Sequence, residues 1–577
     1  MFGFKNILFQ SVIFLVWISQ NYTFGSEILW HICTYLIYAN LVLCVLMYDY
    51  DYWVNRGVFS PPALPVVGHI GPVVAGKEQG GICFKKIYDK YKDKKILGIH
   101  QFFRRTLVIC DPELIKRVCV NDFMYFTDRG FFFDNELDPL AGSVLYLRGN
   151  EWKRLRAKIS PIFSPIKLKG MLPIIENTAN EFVLRIQKLL TEANNEKSKE
   201  SNAIEKEYNN NDNKSAVVNS DELVGGYTAD AIVPCAFGVK SHVMDNANDP
   251  FAVALGAFYE LSFFNIFEKM MRHLWPAFVL FFKMRIIPKK THDFFYNIVT
   301  NVIKDRKNGV QEKRGDFIDM MMALRNEDRT DPAEKENEVK ITDMVIAANA
   351  FIIFLGGYET TSSTLAFMFL ELAAHQEIQE TMRDEIKEVY KKHGGKMSSE
   401  MLQDLTYMDM VIQEILRLYP PFPTIQRMCT KDYHIPGTDV VLEKGTIVVF
   451  PTLGLHRDDQ YFPDAESFRP SRWRAADAGA GAEAGEGARA GAGAGAAAGV
   501  YAPFGDGPRY CVGKRFALNQ MKCCLVKLLT HVRITPATKL DERGRTFVEP
   551  RVKPFDVDIR APMTLHPADS RVTLSLL

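Results

Sequence analysis

The sequence predicts a mainly α-helical body with small β-sheets, preceded by a helix that crosses a membrane. Three stretches carry that expectation. Ile341 to Ala374 holds no proline and is largely apolar, so it reads as one long buried helix. After Cys511, the run V-G-K-R-F-A-L-N-Q-M-K-C-C-L-V-K-L-L spaces its apolar residues at helical intervals. Ile28 to Met47 gives twenty positions without a charged residue, about what a bilayer-crossing helix needs.

Composition narrows the function. With 577 residues and 47% hydrophobic content the chain can bury a large core. Its 70 basic and 69 acidic residues nearly balance, which does not point to nucleic acid or another polyanion as partner. Ten cysteines are scattered without a C-x-x-C pair or zinc spacing, so the main body is read as living in a reducing compartment.

From the N-terminus, residues 1–27 hold an apolar run, Ile7 to Ile18, after Lys5; it reads as a signal-like, interfacial or half-hairpin segment. Residues 28–48 form the expected transmembrane helix, with Trp30, Tyr48, Tyr50, Tyr52 and Trp53 towards its ends like an aromatic belt. Residues 49–68, with Pro61, Pro62 and Pro65, read as a Pro-rich, semi-rigid hinge, and 69–577 as the body. Alternating apolar residues between Ile96 and Cys110 predict short strands, and Asp111-Pro112-Glu113 opens a helix. An aromatic cluster follows, Phe123, Tyr125, Phe126 and Phe131–Phe133. Trp152 and Arg156, four apart, share one face of a helix. Residues 192–219 are almost wholly polar and are expected as a disordered loop insertion. Phe251 to Met284, rich in Phe and Met, predicts two amphipathic helices.

Within the long helix, F-L-G-G-Y-E-T-T contains Gly356 and Gly357, which cost about 1 kcal/mol each inside a helix and so call for a reason such as a widened turn. Glu359 and Thr360 place an acid and an alcohol there, suited to relaying protons. Further on, E-I-L-R puts Glu414 and Arg417 on one helix face. Residues 475–499 are nearly all Ala and Gly, a low-complexity insertion read as flexible.

The chemistry concentrates in P-F-G-D-G-P-R-Y-C-V-G-K-R-F, Pro503 to Phe516. Gly505, Gly507 and Gly513 let the chain turn tightly and lie close to something flat. Arg509 offers a planar cationic fork for carboxylates. Cys511 precedes a helix, where the dipole and free N–H groups favour a thiolate, the form that serves as an axial haem ligand. The pattern F-x-x-G-x-R-x-C-x-G, filled by Phe504, Gly507, Arg509, Cys511 and Gly513, resembles the haem-binding loop of the cytochrome P-450 family.

That resemblance, over roughly residues 60–577, implies the cytochrome P-450 fold and haem b, iron protoporphyrin IX, with Cys511 as the metal ligand. Phe504, Gly505, Arg509 and Gly513 would complete the loop, and Trp152, Arg156, Arg427 and Arg509 would hold the haem propionates. Glu359 and Thr360 match the family's acid–alcohol pair. Glu414, Arg417 and Arg472 would form its buried structural lock, here with Ser471 where the family usually has Glu. Phe251 to Met284 would roof the substrate pocket. The implied activity is that of a microsomal monooxygenase inserting one atom of O2 into a lipophile, a xenobiotic, hormone or lipid. Its body would face the cytosol from the endoplasmic reticulum membrane. Electrons would come from an NADPH-cytochrome P-450 reductase, with cytochrome b5 as a further partner, docking near Lys153, Arg154, Lys514 and Arg515. A second reading is a haem-thiolate isomerase or dehydratase, or a degenerate haem binder, which would need no proton relay.

Overall fold

Among the described residues most buried apolar side chains gather into two clusters, a larger one among the helices and a smaller one around β-strands, with a minor third around Tyr50. The structure, a computed structural model, describes residues 49–200, 215–260, 271–272, 276–312, 314–327, 340–474, 499–540, 546–548, 554–561 and 564–577, with isolated positions before residue 49. The segment 1–27, the expected membrane helix 28–48, Trp275 and residues 475–498 lie outside that range, isolated positions apart.

The expected hinge is not a free spacer but is docked on the body. Trp53 is fully buried and its indole donates to the Ile99 carbonyl at 3.0 Å. A Cβ on Gly98 would lie 2.1 Å from the Trp53 ring, so only glycine leaves room for it. Asp49 accepts two hydrogen bonds from Arg105, at 2.6 and 2.8 Å. An apolar ring and a bidentate ion pair thus hold the segment against the first strands.

After α1 (Gly80–Tyr91), β1 (Ile96–Gln101) and β2 (Arg104–Ile109) pair antiparallel as expected. Asp111 then caps α2 (Pro112–Lys116), accepting from the Leu114 amide at 2.9 Å. Helices α3 (Gly149–Ile159) and α4 (Pro165–Glu200) follow. The polar stretch 192–219 is not a loop throughout. Helix α4 continues to Glu200, and Ser215–Asn219 forms strand β3. Two β-branched valines suit the strand, which finds a partner at the far end of the chain.

Helices α5 (Ser220–Phe237), α6 (Pro250–Tyr259), α7 (Pro276–Phe281), α8 (Lys289–Lys307) and α9 (Phe317–Glu327) lead to α10 (Asp343–Ala374). Then come α11 (Gln376–Lys392), α12 (Thr406–Leu418), β4 (Ile425–Met428), β5 (Ile447–Phe450), α13 (Thr452–His456) and α14 (Lys514–His531), ending in β6 (Val532–Pro536) and β7 (Arg571–Leu576). One sheet has the order β1-β2-β5-β4, with β2 and β5 parallel and the other pairs antiparallel. Another has β7 between β3 and β6, all antiparallel.

Helix α10 is the long helix the sequence predicts. Its N-cap Thr342 accepts from the Val345 amide at 3.2 Å, and most of its residues from Ile346 to Ala373 are buried. A helix apolar all round must be surrounded. It packs against α5, α8 and α14. Among the described residues it is the one helix long and apolar enough to cross a membrane, and its burial accounts for that composition. The two adjacent glycines have separate reasons. A Cβ on Gly357 would meet Ile232 of α5 at 2.8 Å, so glycine lets the two helices approach. A Cβ on Gly356 would meet nothing within 4 Å, and this residue is exposed although Phe354 and Leu355 beside it are buried. Gly356 faces a hollow, with no atom where a Cβ would point.

Candidate active site

The loop before α14 is shaped by its glycines. Gly505 and Gly507 take left-handed φ values of 73° and 67°. A Cβ on Gly507 would lie 1.8 Å from the Cys119 carbonyl oxygen, so no other residue fits. Asp506 accepts from the Gly507 amide at 2.7 Å, and the Cys511 amide donates to the Phe504 carbonyl at 2.8 Å. Gly513 is the N-cap of α14, which places Cys511 just ahead of the helix. Among the described cysteines Cys511 alone is exposed. Its sulfur is nevertheless surrounded by protein. Desolvation pushes the thiol up, opposed by the Gly513 N–H and the charges of Arg156, Arg129 and Lys514. Accessible yet enclosed, the sulfur opens on an internal space.

Four arginines converge beside it. Arg509 is buried, stacks on Trp152 of α3 at 3.9 Å and donates to the carbonyls of Thr127 (2.8 Å), Val144 (3.3 Å) and Leu147 (2.7 Å). Arg156, one turn beyond Trp152, donates to the Tyr510 carbonyl at 2.9 Å. Arg427, on β4 and fully buried, donates to the Gln426 carbonyl at 2.9 Å. The fourth, Arg129, donates to the Arg509 carbonyl at 2.9 Å. The nearest carboxylate pairing is distant, Arg509 to Asp128 at 4.0 Å. Burial and mutual repulsion push Arg129 down to about 9 and Arg509 to about 8. The Nε atoms of Arg129 and Arg427 are buried without a partner. Donors in that state call for an anion.

Helix α10 is linked to the arginine side of the site. The segment 144–147, to which Arg509 donates, is tied to α10 by the Val144 amide and the Asn349 side chain, 3.0 Å apart. Glu359 and Thr360 follow Gly356 on α10, which runs as one unbroken α-helix from Asp343 to Ala374 rather than widening at the glycines. The Thr360 hydroxyl donates to the Gly356 carbonyl at 2.6 Å. The Glu359 carboxylate accepts from the Tyr259 hydroxyl on one oxygen and from the Thr564 hydroxyl on the other. Phe131 and Phe133 pack on Tyr146 with centroids 5.5 and 5.7 Å apart. Burial first, then the negative charges of Asp138 and Glu359, push Tyr146 up to about 12. Tyr146 therefore lies near the acid with Phe131 and Phe133 packed behind it, whereas Phe126 is fully buried core.

The expected lock is formed. Glu414 pairs with Arg417 at 2.8 and 3.0 Å and with Arg472 at 2.9 Å, all three buried. It also accepts from the Trp473 indole at 2.8 Å and the Arg469 amide at 3.0 Å. His456, on α13, connects this lock to the cysteine loop. Its Nε2 accepts from the Ala502 amide at 3.1 Å while Nδ1 lies 3.2 Å from the Arg417 carbonyl, an assignment fixed by those partners.

The cytochrome P450 family model matches residues 59–550. The chain belongs to the cytochrome P450 family. Probable cytochrome P450 6a14 of Drosophila melanogaster is 32% identical over 507 residues, covering 85% of this chain and 91% of the relative. Cytochrome P450 6k1 of Blattella germanica is 32% identical over 517 residues, covering 87% and 91%. Cytochrome P450 6B2 of Helicoverpa armigera is 30% identical over 508 residues, covering 87% and 92%. The protein is thus an oxidoreductase, a monooxygenase whose cofactor is haem b.

The residues present fit a P450 haem. A flat group carrying two carboxylates would satisfy the orphaned Arg129 and Arg427 donors, and an enclosed, accessible thiol is the donor its iron takes. The structure brings together Trp152, Arg156, Arg427, Arg509 and the loop Phe504–Gly513. Three participants escaped sequence reasoning. Arg129, in T-D-R-G, carries no helical spacing and no local motif. Tyr259 and Thr564 reach Glu359 from 100 and 205 residues away, and no local pattern marks either.

Proposed function

We propose that this P450 oxidises lipophilic small molecules with electrons from an NADPH-cytochrome P450 reductase, cytochrome b5 serving as a second donor. In this reading residues 28–48 anchor it in the endoplasmic reticulum membrane with the body in the cytosol. The observation that carries the site assignment is the accessible Cys511 thiol beside four arginines, two of which, Arg129 and Arg427, keep a buried Nε without a partner among the described residues.

Bound haem supplies activation of dioxygen and insertion of one oxygen atom, the other leaving as water. Cys511 would hold the iron as a thiolate, prepared by the Gly513 N–H at the head of α14. Arg129, Arg156, Arg427 and Arg509, with Trp152, would hold the propionates. Glu359 holds a proton on its carboxylate and passes it towards Thr360 Oγ1, which bonds Gly356 and borders the hollow. The proposed substrate is apolar because its surroundings are. Tyr146 and Tyr259 lie beside Glu359, and Phe131, Phe133 and Phe258 pack on those two rings. Phe281 and Phe282, exposed at the end of α7, suit contact with a membrane surface. Lys153, Lys514 and Arg515, exposed on the cysteine side, suit an acidic reductase face.

The test is the ferrous–carbon monoxide spectrum of the full chain, followed by NADPH and oxygen consumption with reductase over a panel of lipophiles. Cys511→Ser should abolish the red-shifted Soret band of the thiolate complex. A band unchanged in that variant overturns the assignment.

A further inference from the structure

A proton donor at Glu359 must be resupplied, and the groups around its carboxylate include a polar C-terminal turn. Both its oxygens are engaged, one by Tyr259 at the end of α6 and one by Thr564 of the C-terminal turn. That turn is pinned to the body. The Ser363 hydroxyl, one turn along α10 from Glu359, donates to the Leu565 carbonyl, and the Leu565 amide donates to Pro421 at 3.0 Å. His566 comes two residues after Thr564, so their Cα atoms lie within about 7 Å. Its Nδ1 sits 3.0 and 3.1 Å from the two carboxylate oxygens of Asp221, in the first turn of α5. Thr564 is buried at 1% exposure, while the His566 side chain is 18% exposed and its Nε2 has no partner among the described residues. The turn thus carries a run of polar groups towards the acid: a partly exposed imidazole, a buried hydroxyl, a carboxylate.

We propose that His566, oriented by Asp221, takes protons from solvent and delivers them to Glu359. This rests on the reading of Glu359 as the proton donor. The imidazolium releases its Nε2 proton through one bridging water to the Glu359 carboxylate. It is left neutral with Nδ1–H on Asp221, and regains a proton from bulk water. One proton moves and no electrons do. The charges facing His566 are Asp221 from α5, Glu359 from α10 and Asp558 of its own turn, itself paired with Arg560 at 2.8 Å. Burial disfavours the cation, but the Asp221 hydrogen bond and these three negative charges outweigh it and raise the imidazole above its usual 6.5. A histidine so placed exchanges its proton in the physiological range.

The test uses the full-length holoenzyme with reductase and the variants His566→Gln, Asp221→Asn and Glu359→Gln, each checked first for a full thiolate carbon monoxide band. NADPH consumption, which needs no identified substrate, is followed from about pH 6 to about pH 8.5. His566→Gln should slow it about tenfold at neutral pH, the lower end of what a lost general acid costs, and less in acid where solvent supplies protons directly. Asp221→Asn should move the limb of the profile to lower pH. Histidine labelled at Cε1 and read by NMR in the ferrous–carbon monoxide form gives the second readout. The resonance missing from His566→Gln should titrate above 6.5 in the parent and lower in Asp221→Asn. A purely structural tether would leave the pH profile unmoved, and that result overturns the proposal, as does a His566 resonance titrating at or below 6.5. If Glu359→Gln is slowed and His566→Gln is not, this proposal alone fails. If Glu359→Gln is itself unaffected, the reading of Glu359 fails with it. Should His566→Gln lose the band, Asp221→Asn carries the same test.

Discussion

Replacing Glu414 by alanine should unfold the P450 body near ordinary temperatures. Five donors converge on this carboxylate: two from Arg417, one from Arg472, the Trp473 indole and the Arg469 amide. Arg417 and Glu414 are fully buried, so removing the acid strands a guanidinium in the core rather than releasing it to water. Stranding one partner of a buried pair costs about 3–5 kcal/mol. Arg417 keeps its bonds to the His456 and Ala465 carbonyls, at 2.8 and 2.6 Å, which argues for the lower half of that range. The Trp473 indole N–H loses its acceptor, adding about 1 kcal/mol. A total near 4–5 kcal/mol compares with a whole-domain stability of about 5–15 kcal/mol. Thermal unfolding followed by loss of the Soret band gives the measurement. Glu414→Ala should melt many degrees lower or fail to retain haem. A paired Glu414→Leu, Arg417→Leu variant should recover part of the loss, since apolar side chains leave no charge behind. A single variant that melts within a degree or two of the parent would refute the reasoning.

Acid should destabilise the protein through two buried histidines. Burial pushes His456 down to about 3 and His100 to about 4, so the folded state resists a proton that the unfolded chain accepts below about 6.5. Their contribution is intact above that pH and falls away beneath it, by about 2 kcal/mol each at pH 5, visible as a drop in melting temperature between about pH 7 and pH 5. Arg129→Ala should weaken haem retention about tenfold or more, the value of one lost charge-assisted bond, read by haem transfer to apomyoglobin. The same variant should raise the melting temperature of the haem-free protein, because it removes one charge from a repelling cluster. Replacing residues 475–498 by a linker a quarter as long should change stability by only about 1 kcal/mol and leave the carbon monoxide band in place.

Local grammar made much of this protein legible. The cysteine loop, the W-x-x-x-R helix, the E-x-x-R pair and α10 each show in a few consecutive residues, because helix spacing and tight turns are short-range physics. What escaped was long-range. Arg129 belongs to the arginine cluster only because β4 and the loop before α14 pass beside it. The hinge read as a spacer because prolines dominate its text, yet its Trp53 docks it on the body through a gap that exists only because position 98 is glycine. Gly356 and Gly357 read as one signal and are two, one fitting α5 and one opening the hollow. The polar run 192–219 lost both ends to structure, since Ser215–Asn219 needs strand β7 to be worth forming.

The Ala/Gly tract interrupts the chain between lock and ligand loop, yet the two are mechanically one unit. On its near side Arg472 and Trp473 are fastened to Glu414. On its far side Tyr501 packs tilted against Trp473 with centroids 4.6 Å apart and donates to the Gln413 carbonyl at 3.0 Å. Gly499, at φ 100°, lies so close to α2 that a Cβ would be 2.5 Å from the Pro112 carbonyl. Ala502 then hangs on His456, and His456 on Arg417. The position of Cys511 is therefore set by contacts across the gap, through Glu414, Arg417, His456 and Ala502, and not by the length of chain that spans it. An insertion at this point leaves the ligand where it was because both its ends are tied to the same carboxylate-centred network.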